Sequence, residues 1–90
     1  MYYRMQELIH AGLESLNNQS SDWIGNTHFV CHVERDNDGV LTEITLTTII
    51  NTIVTTLATC DIETGTITCH NDFTLAHTFI KIMEINRFTN

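Results

Sequence analysis

The stretch Ile44-Thr45-Leu46-Thr47-Thr48-Ile49-Ile50-Asn51-Thr52-Ile53-Val54-Thr55-Thr56-Leu57-Ala58-Thr59-Cys60 decides the architecture, because two rules read it in opposite ways. Its seventeen residues carry no charge, and seven of them are Thr. β-Branched residues favour strands over helices. The apolar spacing favours the helix. Leu46, Ile49, Ile50, Ile53, Val54 and Leu57 gather on one side of a helix, with Ala58 at the edge, while Thr48, Asn51, Thr52, Thr55, Thr56 and Thr59 line the other. A strand needs period two, and that period breaks at Ile49-Ile50 and again at Ile53-Val54. Burial of one apolar face overrides propensity, so the spacing predicts a helix over 45–59. A hydroxyl between Thr45 and Thr48 would cap its start. A helix face fully in water usually carries Glu, Lys or Arg. The uncharged face of Thr48, Asn51, Thr52, Thr55, Thr56 and Thr59 is therefore a candidate subunit interface.

Before this stretch, Tyr2, Met5, Leu8, Ile9, Leu13 and Leu16 recur at helical spacing and predict a helix over 2–16. Gly12 would let another backbone approach it closely. Residues 17–22 read as a loop, with Trp23 and Ile24 capping the core at its far end. In 27–35, Phe29, Cys31 and Val33 alternate with His28, Val30, His32 and Glu34, the pattern of a half-buried strand. Asp36-Asn37-Asp38-Gly39 is a turn signal, and a second strand follows from Val40 to Leu46. After 59, Asp61-Ile62-Glu63-Thr64-Gly65 reads as a turn and 66–70 as a short strand. A last helix, capped by Asn71 or Asp72, carries Ala76, Phe79, Ile80 and Met83 on one face. The expected fold is a single two-layer α+β domain over 1–90, in the order α-β-β-α-β-α. Its three-stranded antiparallel sheet would pack against two or three helices. Such a sheet has two free edges, and sheet continuity across a homodimer would protect one of them.

Ninety residues allow one modest core. The aromatics Tyr2, Tyr3, Trp23, Phe29, Phe73, Phe79 and Phe88 are spread along the chain, so the core is built from distributed parts. Arg4, Arg35, Lys81 and Arg87 stand against eleven acidic residues, a net charge of −7. Four scattered bases do not neutralise a row of phosphates, which argues against a nucleic-acid groove and against an anionic membrane surface. The start of the chain lacks the apolar run of a signal peptide, and the Thr content of 44–60 argues against a membrane span. Cys31, Cys60 and Cys69 are odd in number and suggest core thiols in a reducing cytoplasm rather than a disulfide framework.

Candidate chemistry is sparse. His28, Cys31 and His32 lie close in sequence, and Cys69 adjoins His70, yet neighbours on a strand point to opposite faces and no paired cysteines are present, so neither a metal nor a cofactor is expected. An EF-hand alignment over 34–45 lacks its closing Glu, because Thr45 stands there. A small hydrolase-like site would have to use His70, Asp72 and nearby thiols. The acidic residues offer more. Glu34, Asp36, Asp38, Glu43, Asp61 and Glu63 are candidates for one acidic patch that meets a basic protein surface by charge complementarity. Small acidic inhibitors of nucleic-acid enzymes, among them phage-encoded anti-CRISPR proteins, work by such mimicry; the likeness here is one of size and charge alone. The expected function is that of a protein-binding module, homodimeric and acting as inhibitor or adaptor.

Overall fold

The uncharged stretch is a β-hairpin, not a helix. In the computed structural model, which describes residues 2–72 and 74–86, the elements are α1 (Tyr2–Glu14), β1 (Gln19–Ile24), β2 (Thr27–Arg35), β3 (Leu41–Ile50), β4 (Ile53–Asp61), β5 (Ile67–Cys69) and α2 (Thr74–Ile85). Phe73, Arg87 and Phe88 lie outside the described residues. The five strands form one antiparallel meander in the order β1-β2-β3-β4-β5. The three-stranded sheet and the α-β-β-α-β-α order are therefore corrected to five strands between two helices, still an α+β fold.

The correction has a local cause. Asn51 and Thr52 both take positive φ, 50° and 67°, as the two central residues of a type I′ turn require. The chain reverses there and pairs like with like: Ile50 with Ile53, Ile49 with Val54, Thr48 with Thr55. The period-two breaks that suggested a helix come from this tip. It projects past the core, so both of its faces are apolar and exposed. A second break, Leu57-Ala58, is a β-bulge: Leu46 pairs with Ala58 and Thr47 with Thr56, which leaves Leu57 as the extra residue. Both Leu57 and Ala58 are buried.

The segment expected as a loop over 17–22 is largely β1. It carries little hydrophobic alternation because it is an edge strand whose only buried side chain is Ile24. Trp23 does not cap the core; it is 59% exposed. A two-residue Gly25-Asn26 turn, with Gly25 at φ 62°, joins β1 to β2. At the start of β3, Leu41 is buried and Val40 exposed.

Both helices lie on one face of the sheet, α1 against β1 and β2, α2 against β4 and β5, and they touch each other. Met5, Leu8 and Ile9 of α1 and Ala76, Phe79, Ile82 and Met83 of α2 meet Phe29, Cys31, Val33, Ile44 and Leu46 from the sheet. Gly12 allows the close approach of α1. A Cβ there would sit 3.3 Å from Ser20 Oγ and 3.4 Å from Cys31 Sγ. Ser20 reinforces the contact by donating its hydroxyl proton to the Leu8 carbonyl at 2.6 Å.

Thr52 is strained in its turn, because a β-branched residue at φ 67° crowds its own backbone. Thr52→Gly should relieve that crowding, less the added entropy of the unfolded chain. The net gain expected is about 1 kcal/mol, a rise of roughly 4–8 °C in Tm by calorimetry.

Candidate functional site

The helices cover one face of the sheet and leave the other open. Directly paired residues share a face, so the register lists what the open face presents. At the end where the β1–β2 and β3–β4 turns lie, one row runs Trp23, His28, Ile49, Val54. The next is Ser21, Val30, Thr47, Thr56. The third is Gln19, His32, Thr45, Thr59, Thr68. The last is Glu34, Glu43, Asp61. The ten residues of β3 at about 3.3 Å each span roughly 33 Å. The open face thus grades from apolar at one pole, through hydroxyls and imidazole, to acid at the other.

The acidic pole gathers all six candidate acids. Glu34, Glu43 and Asp61 stand side by side on three adjacent strands. Asp36 and Asp38 lie in the β2–β3 turn, and Glu63 lies in the β4–β5 loop at the same end of the meander. Asp36 also builds its turn: its carboxylate accepts the Asp38 and Val40 N–H groups, both at 2.9 Å. Asp61 Oδ1 accepts the Thr64 N–H at 3.1 Å, and Glu43 Oε1 accepts the Thr45 hydroxyl at 3.0 Å. Arg35, next to Glu34 in the chain, donates instead to the oxygens of Asn18, Gly39 and Leu13. A shallow concavity of about 490 Å³ beside Glu43 and Asp61 is lined further by Thr59, Thr66, Thr68 and His70.

The apolar pole holds five of the large exposed hydrophobics, Trp23, Ile49, Ile50, Ile53 and Val54. The rings of Trp23 and His28 lie 5.0 Å apart. Its edge is closed by an ion pair. Arg4 reaches from α1 to Asp22 Oδ2 at 2.9 Å and donates to the Trp23 carbonyl at 2.6 Å, while Asp22 Oδ1 accepts the Trp23 N–H at 2.8 Å. Both backbone groups of Trp23 on the free side of β1 are thereby satisfied, which blunts the edge against strand addition. The guanidinium and the Trp23 N–H hold the Asp22 carboxyl below its ordinary value.

The six proposed interface residues do not share one face. Thr48 and Thr55 pair on the covered side, and Thr48 is buried with its hydroxyl donating to the His28 carbonyl at 2.9 Å. Asn51 and Thr52 form the hairpin tip, and Thr56 and Thr59 lie on the open face. His70 and Asp72 take different partners. His70 Nε2 lies 3.0 Å from the Thr59 hydroxyl, and Asp72 pairs with His77 at 2.6 Å. Among the described residues, no group of three or more His, Cys, Asp or Glu is placed to hold a metal ion, and no helix is long and apolar enough to cross a membrane. Comparison with protein-family models, curated proteins and solved structures found no match to this chain.

Residues of the apolar row were missed as a site because each belongs to a different strand. The legible signal was the mirror order Thr48-Ile49-Ile50 and Ile53-Val54-Thr55 about Asn51-Thr52, with Asn in the first turn position.

The thiols separate by burial. Cys31 and Cys60 are buried and Cys69 is exposed. Burial pushes the Cys31 thiol up to about 12, and burial followed by the Asp61 carboxylate raises Cys60. A thiol reagent should therefore label Cys69 alone in the native protein and all three cysteines in denaturant. Folded Cys31 keeps its proton where the unfolded thiol loses it, so stability should fall as pH rises from 9.0 toward about 12. A denaturation series in that window checks the sign.

The acidic row should also register in stability. Like charges directly opposite across strands destabilise by roughly 0.2–1 kcal/mol per pair. Glu43 is flanked on both sides, so Glu43→Gln should raise the urea midpoint, and added salt should stabilise the parent protein more than this variant.

Proposed function

We propose that this chain is a cytoplasmic protein-binding module that uses the acidic pole of its open sheet face to hold a basic surface of a partner protein, as an inhibitor or adaptor. The observation that carries this reading is the row Glu34, Glu43, Asp61. Three carboxylates on adjacent strands repel one another, and the local base, Arg35, is turned to oxygens of Asn18, Gly39 and Leu13 instead of compensating them. A basic partner would relieve that repulsion on binding, so the same charges that weaken the free domain would strengthen the complex. Asp36, Asp38 and Glu63 extend the field around the row and would steer a cationic surface toward it.

Affinity capture from the native host tests the reading, with the parent chain and a Glu34→Gln, Glu43→Gln, Asp61→Asn variant as baits. Asn at 61 keeps an oxygen for the Thr64 N–H, and relief of like-charge repulsion protects the variant's fold. The parent should recover a basic partner that is lost at least tenfold with the variant and released by added salt. Equal recovery on both baits, in low and high salt, would sink the proposal.

A further inference from the structure

The acidic pole adjoins a second cavity, and we infer that this cavity takes a primary alkylammonium group, presented by the basic partner as a lysine side chain. The inference rests on the proposed reading of the acidic pole and adds the point at which the partner anchors. The cavity, of about 540 Å³, lies between the β4–β5 loop and the end of α2. Cys60, Ile62, Ile67 and Met83 form its apolar part, and Asp61, Glu63 and Glu84 supply its carboxylates. Asp61 also lines the shallow concavity beside Glu43, so the two hollows adjoin at one residue.

Each part of an alkylammonium has a counterpart there. Cys60 and Met83 are each 6% exposed, and Ile62 and Ile67 are half-buried, a surface suited to a methylene stem. The loop that carries the wall is tied down. The Asp61 carbonyl accepts the Gly65 N–H at 2.8 Å, the Asp61 N–H donates to the Thr66 carbonyl at 2.8 Å, and the Ile62 N–H donates to the Thr42 carbonyl at 3.0 Å. The hollow is therefore largely pre-formed. Among the described residues, the Glu63 and Glu84 carboxylates have no ion pair or hydrogen bond, and no base lines the cavity. The last turn of α2 carries no basic residue, so the negative end of the helix dipole adds to the attraction for a cation. The Cys60 thiol, buried and without a hydrogen-bond partner, offers its sulfur as a further weak acceptor.

The same lining excludes other ligands. Three carboxylates repel an anion, and a purely apolar ligand would desolvate them without a counter-charge. A guanidinium is held best by an aromatic face or a bidentate carboxylate, and no aromatic ring of the described residues lines this cavity. An ammonium donates in three directions, which suits separate acceptors on a loop and a helix end. The partner is the source because Asp61 belongs to both the acidic row and the cavity. A basic surface seated on the row therefore stands beside the opening.

The test is a methyl NMR titration at constant ionic strength, with n-butylammonium chloride as the probe. The Ile62, Ile67 and Met83 methyl signals should shift together and saturate. Methylammonium has the charge without the stem, and 1-butanol has the stem without the charge. Each should bind at least fivefold more weakly, and n-propylguanidinium should also bind more weakly. Glu84→Gln should weaken butylammonium binding at least threefold. Glu7→Gln, exposed on α1 over the other half of the sheet, should leave it unchanged. Shifts that fail to saturate, equal binding of butanol or guanidinium, or indifference to Glu84→Gln overturn the inference. So does tighter binding in Arg87→Gln, which would make that residue of the same chain the occupant. Capture from the host separates the sources of the ammonium. Partner recovery should fall with a Glu84→Gln bait and with added butylammonium; equal recovery in both cases overturns the partner's lysine and leaves the cavity to a free amine. A captured basic partner without butylammonium binding defeats the cavity alone. Butylammonium binding with no acid-dependent partner defeats the reading of the acidic pole and again leaves a free amine.

Discussion

The reversal of the chain at Asn51-Thr52 holds the rest of the structure in place. Two residues at positive φ turn an uncharged seventeen-residue run back on itself, and the two halves become the third and fourth strands of the sheet. Those strands supply Leu41, Ile44, Leu46, Leu57, Ala58 and Cys60 to the buried cluster. They also bring the half of the sheet that carries α1 next to the half that carries α2. Without the reversal, β3 would lack β4 as its neighbour, and β4 with β5 would be parted from the rest of the sheet. The meander makes every strand pair with its sequence neighbour, so each contact closes a short loop at little entropic cost.

Much of this was legible where one rule governed a segment. Alternation across Phe29, Cys31 and Val33 marks β2, and Asp36 to Gly39 marks its turn, because burial on one face and a glycine at positive φ leave direct traces in sequence. The first helix follows from the three- and four-residue spacing, although it stops at Glu14, short of the expected end at Leu16, which is exposed; the same spacing marks Ala76, Phe79 and Met83 in α2 but misses buried Ile82. The hairpin escaped because its tip stands clear of the core. Ile49 faces one side and Ile50 the other, and with neither side covered the selection for alternation is lost. Exposed Ile49, Ile50, Ile53 and Val54 and bulged Leu57 then imitate a helical stripe. The edge strand β1 escaped for the opposite reason, since it buries one side chain and spends the others on solvent and on Arg4. As for the acidic residues, sequence could name them but not align them. Their adjacency depends on register, which the bulges at Glu34/Arg35 and Leu46/Thr47 adjust.

Register also explains how a short uniform sheet comes to have two unlike ends. Each strand contributes one residue per row, and consecutive strands run in opposite directions. A motif that begins acidic and ends apolar on one strand must therefore be mirrored on the next. β3 runs from Glu43 to Ile49 and β4 from Val54 to Asp61, and the two sequences read as reversed copies in hydropathy. The hydroxyl rows between them, from Thr47 and Thr56 to Thr45 and Thr59, tolerate either neighbour because Thr offers a methyl and a hydroxyl at little entropic cost on ordering.

Local rules are broken at three places: Thr52 in a left-handed conformation, a row of carboxylates on adjacent strands, and isoleucines in water at the hairpin tip. None of the three lies in the core, where the helices and the covered face of the sheet agree in pattern, size and polarity. A sequence that satisfies packing where the helices reach and departs from it where they do not concentrates its departures on exposed surface. The kinds of departure differ by pole, charge at one and apolar area at the other. Charge of one sign selects an unlike partner, and neutral apolar surface admits a like one. The two kinds of surface are physically separable, because Glu43 and Ile49 stand six residues apart on β3, roughly 20 Å.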